Sequence, residues 1–381
     1  PNPMAHAYTP GLTITDRTIL RKKRVLPLPG VVLVKRGQAV DPTTVIARTE
    51  LPGKVHVLNV VNQLGILPTD IQDFMLKKKG DEIERGDIIA EDRPFIAWLK
   101  TQVESPISGS IESISDVTGQ VLIRENPAPL NVMAYVDGIV QEIISEEGVI
   151  VETTCSLLQG IFGVGGEVWG PLVKATETPD EIMHPIHITA DMCGAVVFGG
   201  AYASWDVLQK AKDRGLRGLI VGGVDAQDLN TLLGYDIGVA ITGTETIGFT
   251  LIVTEGFGAI PMAQKTFHLL SHHVGRKTSI SGATQIRAGV IRPEIIIPLR
   301  RDADESSPSN WKNTKSREGI AIGDQIRIIR EPHFGQIGKV TALPADLQTI
   351  PTESHVRVIE VELPNAAQII VPRTNVEILE G

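Results

Sequence analysis

The sequence predicts a multidomain α+β protein. A turn-rich β region occupies residues 30–190, an α/β domain with a mostly parallel sheet occupies 191–299, and a C-terminal β module occupies 319–381. Three observations predict this. Val, Ile and Gly recur through 25–190 with turn signals about every eight to twelve residues, the rhythm of short strands closed by tight turns. From residue 191, short apolar strands alternate with amphipathic helices, a pattern that covers both faces of a sheet. Residues 301–318, RDADESSPSNWKNTKSRE, carry almost no aliphatic side chain and read as a linker over 300–318. Dense β alternation follows it.

Composition narrows the function classes. The chain has 381 residues, of which 42% are hydrophobic and 21% charged, enough apolar surface for several cores and too much for wholesale disorder. The 37 glycines and 24 prolines fit turn-rich β structure, and an aromatic content of 4% leaves few stacking surfaces. A net charge of −9 excludes nucleic-acid coating over the whole surface, because neutralising phosphates needs dense Lys and Arg. Two cysteines, Cys155 and Cys193, provide no disulfide framework and no zinc-ribbon or iron–sulfur set. Residues 1–20 lack an apolar targeting core, and no run of about 18 apolar residues occurs, so a cytoplasmic protein without a membrane partner is expected.

Residues 1–29 read as a basic arm. Through residue 37, Arg17, Arg21, Lys22, Lys23, Arg24, Lys35 and Arg36 face the single acid Asp16, a local charge of +6. Arg17, Arg21, Lys22, Lys23 and Arg24 are therefore candidate phosphate-binding residues, with nucleic acid or an acidic protein surface as partner and a solvated charged tail as the alternative. Interleaved aromatics are missing, so base stacking is not expected there.

An internal echo follows. Gly37-Gln38-Ala39-Val40 precedes Val45-Ile46-Ala47, and Gly80-Asp81-Glu82-Ile83 precedes Ile88-Ile89-Ala90 at the same offsets. Then Glu104-Ser105-Pro106-Ile107-Ser108-Gly109-Ser110-Ile111 interrupts apolar alternation with Pro and Gly, as at the corner of a folded-over sheet. These residues resemble the lipoyl/biotinyl-carrier superfamily, the barrel-sandwich hybrid, over roughly 30–125. The resemblance implies that fold for the β region. It does not carry the modified lysine: Trp98 stands at that position, and Lys100 is displaced from it and lacks the flanking residues of the carrier motif. No covalent cofactor is expected.

In the central stretch, Ala195–Gly199, Leu219–Val221, Gly238–Thr242 and Thr250–Thr254 read as strands. Ser204–Gly215, Asp225–Gly234 and a segment opened by Pro261 and closed by Gly275 read as helices, with Ser204 and Asp225 as N-caps. Glycines and hydroxyls cluster after successive strands. Gly222, Gly223, Gly243, Thr244, Glu245, Glu255 and Gly256 are thus a candidate ligand crevice at the carboxyl ends of the strands. The alternative is that glycine merely ends strands there. Neither G-x-G-x-x-G nor a P-loop is present. Phe162-Gly163-Val164-Gly165-Gly166-Glu167 matches a phosphate cradle in composition only and reads as a β turn or hinge. His268 and His272 are spaced to share a metal on a helix, but Leu269 and Leu270 replace the metalloprotease glutamate pattern and no metal site is expected. Cys193 finds no base in its neighbourhood. No catalytic set is expected.

The last stretch carries the most specific pattern. Gly323-Asp324-Gln325-Ile326-Arg327-Ile328 leads to Phe334-Gly335-Gln336-Ile337-Gly338-Lys339-Val340, and alternation puts Ile326 and Ile328 on one face with Arg327 on the other. These residues resemble the KOW motif of NusG-type factors and ribosomal proteins. The resemblance implies a five-stranded SH3-like barrel over 319–381 and contact with the transcription or translation machinery. It makes His333, Phe334, Gly335 and Lys339 candidate partner-binding residues. From Asn313 to Gly381, seven Lys/Arg oppose nine Asp/Glu, and the insertion Leu343–Ser354 is apolar and acidic, which favours a protein over RNA. The expectation is a non-enzymatic binding or scaffold protein acting near RNA polymerase or the ribosome. An enzyme or ligand sensor using the α/β crevice, and a self-assembling homo-oligomer, are the alternatives.

Overall fold

The computed structural model describes residues 12–92, 100–234, 245–284, 291–299, 320–328, 330, 333, 335–344, 348–349 and 355–378. The expected linker 300–318, the expected strand 238–242, Trp98 and most of the insertion 343–354 lie outside the described residues.

The chain is β-rich and organised around a mixed sheet of thirteen strands. Its main path runs Phe162–Val164, Thr250–Phe257, Gly218–Val224, Val196–Gly199, Glu167–Lys174, Lys277–Ser281, Glu294–Pro298, Gly148–Gln159, Gly138–Ile144 and Ala39–Val40. Ile14–Val25 also pairs with Gly148–Gln159, and the short strand Tyr202–Ala203 pairs with Gly218–Val224 and in turn with Ile182–Met183.

Along the main path, parallel pairing is confined to one block, which the short parallel strands Tyr202–Ala203 and Ile182–Met183 extend off the path. Glu167–Lys174, Val196–Gly199, Gly218–Val224 and Thr250–Phe257 run parallel, and the main-path pairs outside this block are antiparallel. Within the block, alternate side chains enter different cores. Val197, Leu219, Val221, Leu251 and Val253 join Val207, Leu208 and Ala211 of the helix Trp205–Asp213 and Leu229 of the helix Ala226–Leu233. Val196, Phe198, Ile220 and Ile252 face the other way, onto Phe267 and Leu270 of the helix Gln264–His272. Val196–Gly199, Gly218–Val224 and Thr250–Phe257 are buried almost throughout, which is why they read as continuous apolar runs rather than as alternation.

The local signals act as their chemistry dictates. The Asp225 carboxylate accepts from the Gln227 and Asp228 amides at 2.7 and 3.3 Å, and Gly234 ends that helix at φ +79°. Ser204 precedes the helix Trp205–Asp213 without a side-chain cap bond. The helix expected from Pro261 starts only at Gln264, because residues 258–262 are engaged in backbone bonds to other segments: the Gly258, Ile260 and Met262 amides donate to Val224, Ala201 and Pro179 carbonyls.

Strand pairing links segments across two of the expected divisions. Residues 14–25, expected within the basic arm 1–29, form a twelve-residue strand paired with Gly148–Gln159, with one register shift between Thr15 and Thr18. The division at 190/191 is crossed by the sheet, since Glu167–Lys174 pairs with both Val196–Gly199 and Lys277–Ser281. The change of local pattern at 191 is real, but strand pairing joins segments irrespective of pattern.

Beside this sheet lie a four-stranded sheet (Val55–Asn59, Gln120–Glu125, Gly109–Ile114, Glu82–Ile83) and a three-stranded one (Ala128–Met133, Val45–Leu51, Val31–Val32). The internal echo is reproduced as structure: each copy is a glycine at positive φ (Gly37 +80°, Gly80 +91°), a two-residue strand, then a longer strand. Residues 320–378 contribute a five-stranded antiparallel sheet, ordered Gln368–Pro372, Val358–Glu362, Ile337–Ala342, Gln325–Ile328, Val376–Ile378, with its own apolar core. Among the described residues, no helix is long and apolar enough to cross a membrane.

Candidate functional site

The strand ends expected to form a crevice are filled by the chain's own backbone. A Cβ at Gly222 would lie 2.2 Å from the Ile260 carbonyl oxygen, and one at Gly223 only 1.9 Å from that of Gly258. Both positions are glycine because the loop 258–262 crosses directly over them. Gly243 and Thr244 lie outside the described residues. Glu245 is half-buried ahead of the strand Thr250–Phe257.

Glu255 and Gly256 are placed differently from a ligand crevice: they meet the C-terminal sheet. Glu255 is buried, and its Oε1 accepts from the Ala263 amide at 2.9 Å while Oε2 accepts from Arg327 Nη2 at 2.8 Å. Arg327 Nη1 donates to Glu377 Oε1 at 2.7 Å, and Arg292 Nη2 donates to Glu377 Oε2 at 2.6 Å. The result is an alternating chain of four charges, Glu255–Arg327–Glu377–Arg292. The side chains of Arg327 and Glu377 are each 1% exposed. Next to it, a Cβ at Gly256 would fall 2.5 Å from the Gly335 carbonyl oxygen, and one at Gly335 would fall 2.8 Å from the Phe257 ring. Two residue sets that the sequence separates, the crevice and the partner loop, are thereby brought together. Arg327 does point away from Ile326 and Ile328, as alternation requires. That face is covered by the central sheet.

Of the remaining partner-loop residues, His333 is half-buried, Lys339 is exposed on the strand Ile337–Ala342, and Phe334 lies outside the described residues. The motif glycines sit where other residues would not. Gly323 and Gly335 have φ of +95° and +79°, and a Cβ at Gly338 would meet Val361 at 2.3 Å.

The five basic candidates of the N-terminal strand divide by strand alternation. Arg17, Arg21 and Lys23 are exposed, whereas Lys22 and Arg24 are half-buried. Three of the five are matched to carboxylates. Arg21 Nε donates to Glu152 at 2.8 Å and Lys22 Nζ to Glu294 at 2.6 Å, and Arg24 grips Glu167 with two bonds of 2.5 and 2.6 Å. Arg24 Nε also donates to the Met133 carbonyl at 2.9 Å.

Sequence reasoning missed the centre of this cluster, Tyr135. It is buried at φ +71°, a conformation unusual for a bulky residue, with the Arg24 guanidinium 5.3 Å and Lys22 Nζ 6.0 Å from its ring centre. Burial, then the nearby Glu294 and Glu167 carboxylates, push its phenol well above the ordinary range. Burial first, then Glu294, pushes the Cys155 thiol up to about 12, although Lys22 acts in the opposite direction. Such a thiol is an inert packing group. No local pattern marks Tyr135, because its neighbours come from strands far apart in sequence.

The histidines separate as well. His268 and His272 lie on the helix Gln264–His272, and His273 just beyond it is buried with Nε2 2.9 Å from Ser156 Oγ. The Ser156 hydroxyl donates to the Asp16 carbonyl at 2.6 Å, so this pair ties the N-terminal strand and the helix end to the sheet. Among the described residues, no group of three or more His, Cys, Asp or Glu is disposed to hold a metal. Lys100, the residue nearest the carrier-lysine position, pairs with Glu91 at 2.5 Å.

No family model and no curated protein matches this chain.

Proposed function

We propose that this is a non-enzymatic binding or scaffold protein whose C-terminal module engages a protein of the transcription or translation machinery, RNA polymerase or the ribosome. The observation that carries this reading is the C-terminal module itself. Residues 320–378 build a five-stranded antiparallel sheet around their own core, and Gly323, Gly335 and Gly338 stand at the positions where the KOW-like pattern needs glycine. This supports an SH3-like barrel, and the echoing glycine turns at Gly37 and Gly80 support a barrel-sandwich arrangement near the N-terminus. The local excess of Asp and Glu over Lys and Arg favours a protein surface over RNA. The thirteen-stranded sheet serves as a rigid base from which the module is presented.

The test is direct binding of the purified chain to purified ribosomes and to purified core RNA polymerase. Retention on one of them, reduced by about tenfold or more in a His333→Ala/Lys339→Glu double variant, is the expected outcome for a contact centred on this loop. Absence of retention on both removes the machinery reading.

A further inference from the structure

The strand Val55–Asn59 forms one edge of its four-stranded sheet and pairs only with Gln120–Glu125 among the described residues. The Glu125 amide donates to the Lys54 carbonyl at 2.9 Å, which fixes the hydrogen-bonding phase of that ladder. His56 and Leu58 therefore turn their backbone groups inward, opposite Ile123 and Val121. Val55, Val57 and Asn59 turn theirs outward, to the free edge. The side chains on this row are exposed as well: Val55 is 42% and Val57 58% accessible.

Open strand edges are normally kept short, charged, bent or broken by proline, because unpaired amides and carbonyls recruit other strands. Several edges of this chain follow that rule. Glu82–Ile83 and Val31–Val32 are two residues each, Ala128–Met133 carries Pro129, and Phe162–Val164 is buried. Val55–Asn59 has none of these protections. It is five residues long, pairs without a bulge, contains no proline and carries no charge on its outward row. An aliphatic, β-branched edge of this kind is a template for one more strand.

We propose that the added strand is Val55–Asn59 of a second copy of this chain, antiparallel about a two-fold axis at Val57. The strand is self-complementary in that register. Val57 exchanges both backbone bonds with Val57 of the second copy, and Val55 stands opposite Asn59 at each end. Residues opposite one another share a face of the sheet. Leu122 is opposite Val57 within the chain, so an aliphatic row of Leu122 and Val57 continues across the joint onto the same two residues of the second copy. Charge favours a copy over an unrelated strand. The turn 115–119 lies at the Asn59 end, since Gln120 is opposite Asn59 and the Val61 amide donates to the Gly119 carbonyl at 3.3 Å. This turn exposes Asp116, and exposed Lys54 stands at the other end of the strand. Antiparallel pairing brings Lys54 of each copy to the Asp116 end of the other. Unlike charges thus meet twice, and no like charges stand opposite each other along the joint. This joint is independent of the contact proposed for the C-terminal module.

The test is the mass of the full chain by sedimentation equilibrium, from low to high micromolar concentration. The wild type should pass from monomer to dimer over this range. Val57→Lys sets two ammonium groups side by side at the axis and should raise the dimer dissociation constant about tenfold or more. Lys54→Glu and Asp116→Lys should each weaken the dimer about threefold or more, and the double variant should recover wild-type association. Both charge changes fall at exposed positions, so they keep the test informative if Val57→Lys folds poorly. A wild-type chain that stays monomeric throughout overturns the inference. A dimer that well-folded Val57→Lys leaves intact overturns this edge as its site. A dimer that Lys54→Glu and Asp116→Lys do not weaken singly and restore jointly overturns the two-fold register.

Discussion

Single residues here are defined by what the fold brings beside them. Cys155 and Cys193 look equivalent in sequence, yet one is buried and the other exposed. A thiol-specific reagent at neutral pH should modify Cys193 and leave Cys155 untouched until denaturant is added, as mass spectrometry of the labelled peptides will show. The same burial has a pH consequence. The unfolded thiol ionises near about 8.5, whereas the folded Cys155 holds its proton to about 12, so the unfolded state loses a proton first. Stability is therefore full below about pH 8.5 and falls as pH rises toward 12, and Tyr135 adds in the same direction at the upper end of that window. Urea midpoints at pH 8 and pH 10 should show the decline, and a Cys155→Ser variant should flatten its lower part. Glycine is the residue whose role reads least plainly from sequence. Gly222 and Gly223 carry the composition of a ligand turn, and only the fold shows loop 258–262 lying across them.

At the level of elements, the N-terminal strand shows what periodicity does and does not reveal. Its cations alternate between an exposed and a half-buried row, a period of two that is visible in the sequence once a strand is assumed. A run containing Arg21-Lys22-Lys23-Arg24 lacks the apolar row that normally announces a strand, because acids on distant strands substitute for an apolar core. Glu294, which receives Lys22, lies 272 residues away. The two rows should differ under charge reversal. Arg17→Glu/Lys23→Glu on the exposed row should change stability by no more than about 0.5 kcal/mol. Lys22→Glu/Arg24→Glu should cost about 3–5 kcal/mol, because it sets like charges against Glu294 and Glu167 in a half-buried site. Chemical denaturation compares the pairs directly. The strands Val196–Gly199, Gly218–Val224 and Thr250–Phe257 were legible from their apolar runs, as were the helix caps at Asp225 and Gly234, since each depends on residues within one turn.

For the molecule as a whole, pairing across the expected 190/191 boundary makes one cooperative unit of what pattern alone divides. The sheet that includes Ala39–Val40 and Glu294–Pro298 shares strands between both halves. Thermal unfolding followed by hydrogen exchange should show the strands of residues 148–298 losing protection together, and the C-terminal sheet with its separate core in a second transition. Fragments cut at 190/191 should not fold singly, because Glu167–Lys174 would lose neighbours on both sides. A third independent transition dividing 148–190 from 191–298 would count against this account. The charge average behaves likewise. A net of −9 contains a local +6, and the fold spends much of that positive charge internally, on Glu152, Glu294 and Glu167.

The pairing of Ile14–Val25 with Gly148–Gln159 has a consequence in time. The first of these strands leaves the ribosome more than a hundred residues before the second, a wait of roughly 6–30 s at typical elongation rates of about 5–20 residues per second. During that wait an apolar strand would expose an open edge to other nascent chains, and a row of Lys and Arg repels them instead. The carboxylates that meet this strand, Glu152 and Glu294, both follow it in the chain, so its cations are paired only after those later segments are made.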